Sequence, residues 1–197
     1  MTKTIFTDCD GVLLDWKNHF LRWVEEKKGK ELTGDTSKYD ITFHIKNTTR
    51  EEIKKLTHEF DDSTWMVALP SYSDAVKYVK KLYNEGWTFI VITSLSDDPY
   101  SKEVRRINLN RVFGEGVFSQ LICLPHGADK NKTLETFKHS PSFWIEDKPE
   151  NAEVGASLGF DSILIKRQYN KNQAKTIDKR VYVADGWKEI YTYITSK

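Results

Sequence analysis

From Ser71 onward, stretches with helical and strand patterning alternate, and this alternation limits the fold more than any other feature of the chain. Ser71 and Asp74 open a helical pattern through Val76, Val79 and Leu82 that stops at Gly86, after which Trp87 to Ile92 is a continuous apolar run. A further helix starts at Pro99. Leu121 to Leu124, Phe143 to Ile145 and Ser162 to Ile165 read as three more strands, with Leu134/Phe137 and Ala152/Leu158 marking the helices between them. Unbroken apolar strands are covered on both faces, and strands separated by helices pair in parallel, because a parallel neighbour is reached only by a crossover. The expected class is α/β, a parallel sheet with helices on both faces.

Ahead of this region, Lys3 to Thr7 is a β-prone run that stops at Asp8-Cys9-Asp10-Gly11, so a strand ends in a polar turn. Trp16, Phe20, Trp23 and Val24 then follow helical spacing up to Gly29, residues 30 to 48 read as loop, and Thr49 with Glu52 forms a capping box for a helix carrying Ile53, Leu56 and Phe60 on one face. A chain of 197 residues holds one good core plus a modest insertion. The expected division is a core of 1–15 and 71–197 with an inserted helical cap of 16–70. With 39% hydrophobic and 30% charged residues there is no compositional case for disorder, and a net charge of +1 points to no particular partner. No apolar run is long enough to span a bilayer and no signal-peptide layout precedes the first strand, so the expected compartment is cytoplasmic, without a membrane partner. Cys9 and Cys123 are too few for a disulfide framework.

Ligands of open parallel sheets bind beyond the carboxyl ends of the strands. Asp8 and Asp10 follow the first strand, Thr93 and Ser94 end the second, Lys130 and Lys132 begin a helix, and Glu146-Asp147 ends the strand from Phe143. Clustered carboxylates repel one another unless a cation offsets them, and hard oxygen donors suit Mg²⁺, which fills its remaining positions with water and phosphate oxygens. A carboxylate so placed can attack phosphorus, and a second carboxyl two residues on can carry the proton. Taken singly, the first motif could be a solvated turn or a Ca²⁺ loop, Thr93 a strand-end cap and Asn151 a helix-starting polar residue.

The ordered set Asp8-Cys9-Asp10-Gly11-Val12, Thr93, Lys130 and Glu146-Asp147 with Asn151 resembles the four motifs of the haloacid dehalogenase superfamily over nearly the whole chain. The resemblance implies a Rossmann-like core. It makes Asp8 the nucleophile, Asp10 the general acid/base, Thr93 the phosphate-binding hydroxyl with Ser94 the lesser choice, and Lys130 the phosphate-binding amine in preference to Lys132. Asp147 would complete a Mg²⁺ site with Asp8 and the Asp10 backbone carbonyl. Aspartate at position 10 is the phosphatase form of the motif. Glu146 stands where glycine or aspartate is common and Asn151 where aspartate is common, which leaves the roles of both open.

DCDGVLLDW, FIVITS, FWIEDK and DGWKEIYTYI are further similar to the 5'(3')-deoxyribonucleotidase branch, implying nucleoside monophosphates as substrates. A phosphatase for sugar phosphates or polynucleotide 3'-phosphate ends, and a non-catalytic binding module, remain alternatives; no basic run with interleaved aromatics marks a nucleic-acid groove. Trp16, Phe20, Tyr39, Phe43 and Trp65 could stack on a base, but Phe20 and Trp23 sit at core spacing, whereas Trp16 and Trp65 lie near the hinges and are the substrate-contacting candidates. Cys9 is expected to be a core thiol pointing away from the aspartates. The histidines at 19, 44, 58, 126 and 139 share no spacing and are expected to be ordinary surface or core residues, so no zinc site is expected.

Overall fold

The structure is a computed structural model that describes residues 3–35, 37–96, 98–138 and 142–197. Six strands, β1 (Lys3–Thr7), β2 (Trp87–Ser94), β3 (Phe118–Leu124), β4 (Phe143–Glu146), β5 (Asp161–Ile165) and β6 (Tyr182–Ala184), form one parallel sheet in the order β3-β2-β1-β4-β5-β6. The expected parallel α/β sheet is what forms. β6 has no counterpart in the sequence reading, because three residues are too few to display a period. The chain winds outward from β1 to β3 and then returns to place β4 on the other side of β1. That reversal opens a crevice at the carboxyl ends of β1 and β4.

Alternation along β1 places Ile5 in the larger hydrophobic cluster, with Val91, Ile145, Ile163 and Trp187, and Phe6 in a second cluster with Ile92, Leu134 and Trp144. The sheet is thus apolar on both faces and covered by α3 (Ser73–Asn84), α4 (Pro99–Phe113), the short α5 (Asn131–Glu135), α6 (Pro149–Ser157) and α7 (Trp187–Thr195). Trp187 is fully buried, donates its indole N–H to the Val12 carbonyl at 3.0 Å, and has its backbone N–H held by Asp74 at 2.9 Å. The last helix therefore pins the loop that follows β1; truncating such a side chain costs about 3–5 kcal/mol.

Between β1 and α3 lie α1 (Trp16–Lys28), a 3-10 turn at Ile41–His44, α2 (Arg50–Asp61) and a second 3-10 turn at Thr64–Ala68. α1 is capped by Asp15 and stopped by Gly29 in the left-handed region at φ 61°; both bonds of the Thr49/Glu52 capping box are present in α2. This segment leaves and returns through a narrow neck: Leu14 bridges Ser71, Asp15 N–H donates to the Pro70 carbonyl at 2.8 Å and Tyr72 N–H to the Leu13 carbonyl at 3.2 Å. No helix among the described residues is long and apolar enough to cross a membrane.

Candidate active site

The register of the sheet aligns the chemistry. Thr7 pairs with Val91 on one side and Ile145 on the other, and Asp8 N–H donates to the Ile145 carbonyl at 2.9 Å, so Asp8 and Glu146 leave neighbouring strands at one level. Lys130, at the start of α5, sends its ammonium between them, 2.7 Å from Asp8 Oδ1 and 2.9 Å from Glu146 Oε2. Asp8 Oδ1 also accepts the Cys9 N–H at 2.7 Å. Glu146 is the most committed of these carboxylates: Oε2 also accepts from Asn151 Nδ2 at 3.1 Å, and Oε1 accepts the N–H groups of Asp147 and Lys148. Glu146 and Asn151 thus anchor the amine that faces Asp8. Asp147 accepts the hydroxyl of Tyr169, and its backbone carbonyl is held by Asn170 Nδ2 at 2.6 Å.

Oxygens of Asp8, Glu146 and Asp147 all lie within 4.8 Å of one another. With Lys130 ionised, three carboxylates and one ammonium sum to −2 in a buried cluster, and the strain appears in their proton affinities. Burial, then repulsion by Glu146, pushes the Asp147 carboxyl up to about 8. Burial and the charge of Glu146 raise Asp8 well above the usual carboxylate range against the pull of Lys130. Glu146 is held low despite burial by the charge of Lys130 and by hydrogen bonding with its neighbours Asp147, Lys130 and Asp8. A hard divalent cation would supply the missing charge. With Glu146 saturated by protein donors, Asp8 and Asp147 are the oxygens left to hold one. Gly11 serves the same close packing: its φ is 83°, and a Cβ there would sit 2.6 Å from both Asp147 Cγ and the Tyr169 hydroxyl.

These groups form the floor of a cavity of about 620 Å³ that also takes in Asp10, Trp16, Lys17, Tyr39, Arg50, Lys54, Asp61, Thr93, Ser94, His126 and Tyr169. Asp10 is gripped through both oxygens by the fully buried Arg105 of α4, at 2.5 and 2.9 Å, and Arg105 Nη1 also lies 3.2 Å from Cys9 Sγ. Cys9 is a core thiol, its pKa raised by burial. It shares the guanidinium with Asp10, however, rather than pointing clear of the aspartates. Asp61, at the end of α2, is pushed up to about 7 by burial and by the charge of Asp10. Its Oδ1 accepts the Trp16 indole N–H at 3.3 Å, and its Oδ2 is 3.9 Å from His126 Nδ1.

Several expected placements change. Trp65 lies outside the cavity: its 3-10 turn packs mainly on α4 and the end of α2, and its ring rests against His19 at 5.0 Å and beneath Lys27 and Arg22 of α1. Trp16 lines the cavity, stacked on buried Phe20 at 4.8 Å. Ser94 lines it too, but its hydroxyl proton goes to the Ala128 carbonyl at 2.7 Å, so a phosphate oxygen would have to displace that bond. Thr93 is buried at the cavity floor; Lys132 is exposed and outside it. Tyr39 lines the mouth and Phe43 does not. His126 stands at the mouth, which the reading as an ordinary surface residue did not anticipate, whereas His44 is buried against the Lys38 carbonyl and His19 against the Trp65 carbonyl. His139 lies outside the described residues.

Arg105, Tyr169, Asn170 and Arg167 were not singled out from sequence. Arg167 holds the loop after β1 through the carbonyls of Gly11 at 2.6 Å and Val12 at 3.3 Å. The rule that finds strand-end residues also covers the end of β5, and applying it to 166–170 would have found three of the four. Arg105 carried no such signal: Ser101, Arg105 and Asn108 share the buried face of α4, which packing alone reveals.

No protein-family model matches the chain. An uncharacterized 32.4 kDa protein of Enterobacteria phage T4 is 26% identical over 174 residues, covering 80% of this chain but 58% of that protein, so the chain spans less than two thirds of its relative. Among solved structures, a haloacid dehalogenase-like family protein from Streptococcus pneumoniae superposes with a TM-score of 0.68 at 13% identity, covering 98% of each chain. A D,D-heptose 1,7-bisphosphate phosphatase from B. bronchiseptica, complexed with magnesium and phosphate, gives 0.61 at 12% identity, again over 98% of each. A dehalogenase with an intermediate complex gives 0.64 at 13%, covering 98% of this chain and 96% of that one. By fold, the chain is a haloacid dehalogenase-like α/β protein.

Proposed function

We propose that the chain is a Mg²⁺-dependent phosphomonoester hydrolase in which Asp8 is the nucleophile, with nucleoside monophosphates as the leading substrates. The observation that carries this reading is the Asp8–Lys130–Glu146 triad beside Asp147 at the switch point of the sheet, a nucleophile, a phosphate-neutralising amine and a metal-competent acid pair in one buried cluster. The fold-related phosphatase that binds magnesium and phosphate supports it.

Oδ1 of Asp8 faces Lys130 and the Cys9 N–H, so that its two oxygens can divide the work of attack and of metal binding. Asp8 and Asp147, with the Asp10 carbonyl, would hold Mg²⁺, which when bound lowers the repulsion between carboxylates and phosphate dianion. Lys130 and Thr93 neutralise and orient the transferring phosphoryl oxygens. Attack forms the Asp8–phosphorus bond and breaks the bond to the leaving oxygen, which takes a proton from Asp10; Asp10 then removes a proton from the water that hydrolyses the aspartyl-phosphate. In the ground state both Asp10 oxygens lie on Arg105, so proton transfer requires one of them to be released. The segment 16–70 would act as the cap, presenting Trp16 and Tyr39 to the leaving group. A steady-state panel of nucleoside monophosphates, sugar phosphates and a 3'-phosphorylated oligonucleotide tests the assignment. Turnover with Mg²⁺ and none in chelator is expected, with nucleotides fastest; a sugar phosphate turned over fastest would replace the substrate class, and activity unaffected by chelator would overturn the mechanism.

A further inference from the structure

The cap side of the cavity carries positive charge that the catalytic carboxylates do not use. Lys17, on α1, is half-buried; its ammonium is held 2.6 Å from the Lys38 carbonyl and lies 4.5 Å from the centre of the Tyr169 ring. Arg50, at the start of α2, reaches Asp40 at 3.2 Å. The two cationic heads are thus held by the residues on either side of Tyr39, whose ring meets Tyr169 edge-on at 5.5 Å. Lys54 follows Arg50 by one helical turn on the face that also carries Ile53 and Thr57, and all of these residues line the same cavity. Among the described residues, Lys17 and Lys54 form no ion pair with a carboxylate, while Lys130 is paired with Asp8 and Glu146 and keeps its third N–H for a phosphate at the floor.

A half-buried ammonium without a counter-ion is costly, and burial draws the Lys17 amine down to about 8 despite the attraction of Asp147. An arriving anion would relieve that cost. One phosphate does not need this strip, because Lys130 at the floor already serves it. Arg50 and Lys54 lie in the first turns of α2, whose other end brings Asp61 under the charge of Asp10, while Lys17 links them to the floor over the ring of Tyr169, whose hydroxyl bonds Asp147.

We propose that Lys17, Arg50 and Lys54, beside Tyr39, form a second anion subsite, so that among nucleotide and sugar phosphates a phosphomonoester whose leaving group carries a further phosphate is preferred to the matching monophosphate. The proposal rests on the phosphatase reading for its reaction but not for its binding. Two matched pairs test it: a nucleoside 5'-monophosphate against the 3',5'-bisphosphate, and a hexose monophosphate against the bisphosphate. The bisphosphate of at least one pair is expected to show about tenfold higher kcat/KM, the scale of one or two charge-assisted contacts, and the responding pair identifies the source of the second phosphate. In a Lys17→Met, Arg50→Gln, Lys54→Gln variant the ratio should fall toward one, whereas Lys132→Gln, outside the cavity, should leave it intact. Calorimetric titration of the same ligands into Asp8→Asn protein reads the ratio without turnover, so loss of all phosphatase activity would overturn the reaction and still decide the subsite. Equal affinity for mono- and bisphosphates in both pairs, or a preference that survives the triple substitution, would overturn the proposal.

Discussion

At the strand ends Asp8, Lys130, Glu146 and Asp147 are each 7% exposed or less, whereas across the cavity Tyr39 is 50% exposed and Arg50 projects into solvent from the first turn of α2. On the first wall every polar group is fixed by a strand terminus or a short loop, and the carboxylates and amine bind one another. On the second wall the charges sit on helices and a loop joined to the sheet by a narrow neck, and two lysines have no carboxylate partner among the described residues. A buried cluster of interlocked charges tolerates almost no substitution; an open wall of cations and rings can change without disturbing the sheet. Under the proposed function, reaction chemistry belongs to the first wall and substrate choice to the second.

Lys130→Met should break that division most severely. It leaves Asp8 and Glu146 buried without their shared cation, so turnover should fall by roughly 10²–10³ and stability by about 3 kcal/mol. Steady-state kinetics with a denaturant titration checks both; near-normal turnover in a folded variant would detach chemistry from the strand-end wall.

A smaller effect sharpens the contrast within the aromatic set. Trp16→Ala, which opens the cavity wall, should lower kcat/KM for nucleotides about tenfold while sparing a small aryl phosphate. Trp65→Ala, outside the cavity, should lower both alike and chiefly through stability. Selectivity changed by Trp65 rather than Trp16 would misplace the substrate.

The smallest effect is in pH. Asp147 titrates near 8 when folded and in the ordinary carboxylate range when unfolded, so the folded state holds the extra proton between those values. Its stabilising contribution is complete at acid pH and lost as pH rises through about 8, and Asp61, near 7, adds the same sign. Without divalent metal, Tm should therefore fall by a few degrees between pH 6 and pH 8.5, and Mg²⁺ should restore more of it at the higher pH, where the carboxylates are ionised. A metal-free Tm that rises over that range would contradict the clustered-acid picture.

Most of the strand-end wall was legible because a parallel sheet turns position into proximity: once strands were read at Lys3, Trp87 and Phe143, the residues after them had to share a rim. Arg105 escaped because a helix places charges on either face with equal ease in a sequence pattern, and only packing decides that this one is buried against Asp10. Trp65 was misplaced for a related reason. Nearness to a hinge in sequence does not say whether a ring on a 3-10 turn will face the cavity or the outer side of α1. Glu146, an unusual residue for its motif, became intelligible only through its partners Lys130 and Asn151.

The central claim is that Asp8 carries the phosphoryl group. Asp8→Asn keeps the size of the side chain and removes the attacking oxygen, so turnover should drop to background. Asp10→Asn keeps the nucleophile but removes the proton carrier for hydrolysis, so with an activated aryl phosphate the intermediate should accumulate. Intact-protein mass spectrometry after a rapid quench, followed by peptide mapping, should find one phosphoryl group on Asp8 in the Asp10→Asn protein and none in the Asp8→Asn protein. A phosphoryl group mapped to any other residue, or near-normal turnover by Asp8→Asn, would contradict the account.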